Sequence, residues 1–162
     1  MILFYVLENL FSKDIKIANY NYYEPKTLHD SSLSLSTHCI LANDLGHYDV
    51  AYDLFKKACE IDLGPNMKTS DAGVHAASLG GIWQCVIMGF AGVRMLDGKL
   101  RINPKLPKHW DGLSFNIMWK GNDLKIEIQK DIMTIENNGN QSVEIEVFDN
   151  IYKVDNKQII SL

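Results

Sequence analysis

The stretch HAASLGGIWQCVIMGFAGVRMLDGKLRINP, residues 75–104, changes its period partway along. Residues 75–90 are apolar nearly all round, which predicts a helix buried on every side. The Gly80-Gly81 pair within it lets another group come close to the helix backbone. From about residue 97 apolar and polar residues alternate, and an alternation of two is the period of a strand. A helical half therefore meets a β half here, with the boundary expected between residues 96 and 97.

Upstream, the helical period continues. ILFYVLENLF (2–11) is apolar enough for a buried helix, and LSLSTHCILANDL (33–45) ends at Gly46, a natural helix terminator. Residues 48–61 carry Val50, Ala51, Leu54, Phe55, Ala58 and Ile61 as a 3.6-residue stripe, with Asp53, Lys56, Lys57 and Glu60 outside it. Downstream, LSFNIMWKG (113–121), DLKIEIQKD (123–131), IMTIENNG (132–139), QSVEIEVFD (141–149) and YKVDNKQIISL (152–162) alternate. Gly121-Asn122, Lys130-Asp131 and Asn138-Gly139 separate them as turns. NPKLPKHWDG (103–112) reads as an extended joint. The expectation is an α+β chain: helices over 1–96, then a small antiparallel β-sandwich over 97–162.

Composition narrows the function. The chain has 162 residues, 46% of them hydrophobic, and a formal charge of -4. The acidic balance argues against a nucleic-acid partner, which calls for a basic face. No apolar run reaches the roughly 18 residues of a membrane span, and the N-terminus lacks the basic and small-residue marks of a signal peptide. A cytoplasmic location is the expectation. Cys39, Cys59 and Cys85 are widely spaced in apolar surroundings and read as buried free thiols. Close Cys or His pairs are absent from the sequence, so no metal site is expected.

Two polar loops carry the candidate chemistry. YYEPKTLHDSSLS (22–34) sets Glu24, His29, Asp30, Ser31, Ser32 and Ser34 just ahead of a helix. Asp30 or Ser31 can cap that helix. One cap does not require so many hydroxyls, and a helix start with free N–H groups is also a natural anion site. NMKTSDAGVHAASLGG (66–81) repeats the arrangement with Lys68, Thr69, Ser70, Asp71, His75 and Ser78. Glu24 and Asp71 could act in acid–base work, though no fixed spacing marks them as a pair. Trp83 reads first as core and second as a sugar platform.

Three segments in order, YYEPKTLHDSSLSLSTH, DAGVHAASLGGIWQCVIMGFAGVRM and LRINPKLPKHW, resemble the C-terminal part of glycoside hydrolase family 65, the maltose, trehalose, kojibiose and nigerose phosphorylases. The resemblance implies the last helices of an (α/α)6 barrel followed by a β-sandwich. It also implies phosphorolysis of an α-glucoside with inversion, giving β-glucose 1-phosphate. Inverting hydrolases use a carboxylate base to activate water. Phosphate is already an anion and a nucleophile, so its site should offer hydroxyls, imidazoles and N–H groups. By the motif match, His29, Ser31 and Ser32 fall on the family's H-E-S-S segment, with Asp30 where Glu is usual. His75 falls on the His of its G-[IVL]-H segment, and Gly80 and Gly81 on the small pair beside the anion.

The resemblance puts the general-acid glutamate upstream of these residues, so no catalytic residue is assigned here. Twelve helices of about 11 residues with loops of about 5 need roughly 190 residues, more than the helical half holds. The expected partners are a disaccharide or oligosaccharide, phosphate as co-substrate with no other cofactor, a second copy of the chain, and a separately encoded N-terminal half. A non-catalytic carbohydrate- or partner-binding module is the alternative.

Overall fold

The computed structural model describes residues 1–63 and 73–162. They form two compact units, Met1–Phe90 and Ala91–Leu162. The division falls six residues before the expected boundary, because Val93–Leu96 is already a strand.

The first unit is helical: α1 (Leu3–Val6), α2 (Lys13–Tyr23), α3 (Ser34–Asp44), α4 (Tyr48–Cys59) and α5 (Ala76–Gln84). A π-helical segment, Cys85–Phe90, continues α5. α3 is the centre, with Leu35, Ser36 and every residue from His38 to Asn43 buried. α4 lays Ala51, Leu54 and Ala58 inward as its stripe requires. Val50, expected on that stripe, is exposed.

Two further expectations fail here. ILFYVLENLF is not one buried helix: α1 has four residues, and of these only Tyr5 is buried. α5 is not buried all round: Leu79 is 51% and Trp83 60% exposed. Trp83 is therefore no core residue in this chain.

α3 and α5 run parallel. Ser36 lies against Gly81, where a Cβ would come 2.5 Å from the Ser36 Oγ. Four residues on, the Cys85 Sγ donates to the Ser36 carbonyl at 3.6 Å. Gly89 packs on Ile40, and the Asn43 Nδ2 donates to the Gly89 carbonyl at 3.0 Å. Numbers rise together along both segments, so their N-terminal ends lie at the same end of the helical layer.

The second unit is a β-sandwich of two four-stranded sheets. β1 (Val93–Leu96), β2 (Lys99–Ile102), β6 (Val143–Val147) and β7 (Asn150–Val154) make one sheet in the order β1-β2-β6-β7. β3 (Gly112–Trp119), β4 (Asn122–Gln129), β5 (Ile132–Asn137) and β8 (Lys157–Ser161) make the other in the order β3-β4-β5-β8. Alternation sends Leu124, Ile126, Ile128, Met133 and Ile135 of one sheet, and Leu100, Ile102, Ile145 and Val147 of the other, into the core. The sandwich is not wholly antiparallel, since β2 and β6 pair in parallel. Hairpin turns at Asp97-Gly98, Lys120-Gly121 and Phe148-Asp149 have both residues at positive φ, which matches the twist of the strands they join.

Candidate functional site

The loop into α3 is built by short-range hydrogen bonds. Leu33 N–H donates to the Ser31 Oγ at 3.3 Å, and the Ser34 hydroxyl donates to the Ser31 carbonyl at 3.0 Å. Leu33 takes the N-cap position, and no side chain caps the helix. The expected cap from Asp30 or Ser31 is corrected accordingly: Ser31 closes the turn that precedes the helix. Ser31 is exposed and Ser32 half-buried.

His29 sits in the left-handed region at φ 55, where a non-glycine residue is uncommon. Three side chains fix it there. Its Nδ1 is 3.2 Å from the Ser34 Oγ, and its Nε2 is 3.4 Å from the Glu24 Oε1. The other oxygen of Glu24 is bonded to Nδ1 of His38, which is buried on α3. The two imidazoles meet edge to face with centroids 4.9 Å apart. Glu24 thus bridges the loop histidine to a buried one. Burial pushes the His38 imidazole below its ordinary value, against the upward pull of its hydrogen bond to Glu24. Tyr20, one turn before Glu24, has its phenol raised by burial, with the Glu24 charge adding to it.

The second loop has its own anchor. Both carboxylate oxygens of Asp62 hold His75: Oδ2 accepts from the His75 backbone N–H at 3.0 Å, and Oδ1 lies 2.6 Å from its Nδ1. His75 is the N-cap residue of α5, and no side chain caps that helix. The hydrogen bond from His75 holds the Asp62 carboxyl below the usual carboxylate range. Ser78, one turn into α5, is buried, and its Oγ has no partner among the described residues. Lys68, Thr69, Ser70 and Asp71 lie outside the described residues.

The parallel run of α3 and α5 sets the residues just before α3 and those from His75 onward at one end of the layer. Ser31 and Ser32 precede the Ser36–Gly81 contact by five and four residues, and His75 precedes it by six. Each histidine is bonded within its own loop. The two glycines differ. Gly81 is filled by Ser36, so helix packing accounts for it, whereas Gly80 faces open space.

Sequence reasoning missed the Glu24–His38 link. The residues are fourteen apart, and only the return of the chain through α3 joins them. Glu24, His29 and His38 each offer one ligand atom, all within 4.8 Å of one another. Among the described residues no helix is long and apolar enough to cross a membrane.

Comparison with known proteins gives this arrangement a context. Residues 1–84 match the model of the glycosyl hydrolase family 65 central catalytic domain, and residues 93–154 that of the family's C-terminal domain. A kojibiose phosphorylase of Halothermothrix orenii is 50% identical over 135 residues, 83% of this chain and 17% of that protein. An alpha,alpha-trehalose phosphorylase of Thermoanaerobacter brockii is 38% identical over 149 residues, 92% of this chain and 19% of that protein. A solved structure assigned as a kojibiose phosphorylase from the human microbiome superposes with a TM-score of 0.92 at 31% identity, covering 99% of this chain and 21% of that one. The chain thus spans about a fifth of the length of these relatives. It belongs to glycosyl hydrolase family 65.

Proposed function

We propose that these residues carry the phosphate-binding part of a disaccharide phosphorylase. The reaction is phosphorolysis of an α-glucoside with inversion, to β-glucose 1-phosphate. In this reading His29, Ser31, Ser32 and His75 face phosphate, with backbone N–H groups at the α3 and α5 starts. Gly80 leaves the α5 backbone open beside them. The general acid, the walls that select the leaving sugar, and the disaccharide itself belong to segments outside these 162 residues. Phosphate is the co-substrate of this reading, which requires no other cofactor.

The observation that carries the reading is the parallel register of α3 and α5. It supports the reading by bringing the starts of α3 and α5 to the same end of the layer. Two helix starts without side-chain caps then point their N–H groups and dipoles toward the same end, which suits an anion. The buried Ser78 hydroxyl, without a partner among the described residues, adds a donor one turn inside α5. The phosphorylase names of the relatives agree with phosphate as the ligand.

Phosphate binding by this chain tests the proposal without requiring turnover. Titration with inorganic phosphate, followed by amide NMR, should move the resonances of 31–36 and 75–79 together. Ser31→Ala/Ser32→Ala should weaken binding by about tenfold, the loss expected for one or two hydrogen bonds to a charged group. Shifts confined to one loop, or an unchanged affinity in the double variant, would overturn the shared site. The chain alone should release no glucose 1-phosphate from kojibiose, trehalose, maltose or nigerose.

A further inference from the structure

We infer that Glu24, His29 and His38 form a binding site for a divalent cation of the zinc class. Their ligand atoms lie within 4.8 Å of one another and come from three separate segments: the turn after α2, the loop before α3, and α3 itself. Two imidazoles and one carboxylate are a donor set that zinc takes in three-ligand sites, leaving a fourth position for water or an anion oxygen.

The geometry is close to what such an ion needs. Zn–N and Zn–O bonds of about 2.0–2.1 Å put tetrahedral ligands roughly 3.3 Å apart. The His29 Nε2 and Glu24 Oε1 are 3.4 Å apart. The edge-to-face imidazoles, with centroids 4.9 Å apart, allow both rings to turn a nitrogen to one point. Glu24 already spans the two histidines with its two oxygens, so an ion entering between them replaces hydrogen bonds with metal bonds as the Glu24 and His29 side chains open around it. His38 is buried on the central helix and fixes one corner. His29, on the loop, supplies the adjustable one.

The alternative ligands are poorer. Cys39 and Cys85 are buried, and the Cys39 thiol is pushed up by its hydrogen bond to Cys85 and by burial. Cys59 stands half-buried, and His75 and Asp62 are only a pair.

The site bears on the proposed reaction. An ion bound here takes the His29 imidazole, leaves phosphate to Ser31, Ser32 and His75, and fixes the loop that carries the two serines. Its occupancy and phosphate binding are then linked, a consequence that rests on the phosphate reading, whereas the metal site itself does not.

Titration of the metal-free 162-residue chain with Zn2+ and with Co2+ tests the site. The expected result is one ion per chain, with the ring nitrogen resonances of His29 and His38 shifting together on Zn2+ addition. Bound Co2+ should show visible ligand-field bands without a thiolate charge-transfer band. His29→Ala, on the loop, and Glu24→Gln, which keeps the side-chain shape, should each weaken binding beyond the 10–100-fold that loss of an outer partner costs. Cys59→Ser should bind as the parent does. The proposal is overturned if both ligand variants keep the parent affinity, if a thiolate band appears, or if the His75 resonances move in place of His29 and His38. The wild-type ring resonances decide even where a variant folds poorly. Phosphate titration of the metal-free chain separates failure of this site from failure of the phosphate reading.

Discussion

At single positions, the motif reading picked out residues, and the packing sorted what they do. The crowding of polar residues at His29, Ser31 and Ser32 was legible, and in the structure it is a loop closed by its own hydrogen bonds. Glu24 as the bridge to His38 was not legible, because neither spacing falls on one helix or strand. The glycine pair was legible as a close approach, but which partner approached was not. Substitution separates the two glycines. Gly81→Ala sets a Cβ 2.5 Å from the Ser36 Oγ and 2.9 Å from its Cβ, so α3 or α5 must shift. A loss of about 1–3 kcal/mol in urea unfolding is expected. Gly80→Ala meets nothing within 4 Å and sits inside a helix, so it should gain about 0.5–1 kcal/mol. Asp62 gives a pH-dependent prediction. Its carboxyl is lowered in the folded chain by His75, so the stabilisation is fully present above the ordinary carboxylate value of about 4. It is lost as pH falls through the lower folded value. Asp62→Asn should therefore flatten the acid limb of the urea midpoint against pH, and an unchanged limb would remove Asp62 from the account.

Among the elements, the strands were easier to read than the helices. Alternation over 122–137 maps directly onto the buried faces of β4 and β5. The turn between β3 and β4 fell one residue earlier than expected, because Lys120-Gly121 takes both positive φ values and Asn122 is already paired with Trp119. Asn122 was drawn to the turn by its residue type, yet its Oδ1 accepts from Gln141 N–H at 3.1 Å as a buried strand residue. The parallel β2–β6 pair was not legible, since alternation carries no direction. α1 was over-read because apolar content alone does not show which side finds a neighbour. Asn137 is the polar residue that holds the turns of the sandwich together. Its Nδ2 donates to the carbonyls of Gln141, Val154 and Asp155, and its Oδ1 accepts from Gly139. Asn137→Ala leaves several of these groups without partners, each costing about 1–3 kcal/mol where water cannot reach. A loss of about 2–3 kcal/mol is expected, read from the unfolding transition by β-sheet circular dichroism. An effect below ~0.5 kcal/mol would show that water replaces the amide.

Across the whole chain, the order of helices then sandwich followed from period alone, and the family from three motifs. What period could not tell was whether each apolar helix has a cover. α5 was written as a helix apolar all round, and such a composition matches burial on every side. In the chain itself, α3 covers one face at Gly81, while Leu79 and Trp83, four residues apart, share another that faces solvent. Leu28 and Val74, in the two loops at that end of the layer, are exposed as well, at 83% and 67%. Apolar surface of this kind favours association, at about 25 cal/mol for each Å2 removed from water. The chain of 162 residues should therefore self-associate through its helical unit. Sedimentation velocity should show a weight-average mass that rises with concentration, and Trp83 emission should shift to the blue as it does. Leu79→Ser/Trp83→Ser should return the chain to the monomer mass with the β-sheet signal unchanged. The same pair of serines placed on the sandwich, at exposed Met118 and Ile159, should leave association as it was. If the sandwich pair abolishes association and the α5 pair does not, the exposed face of α5 is not the surface that seeks a cover.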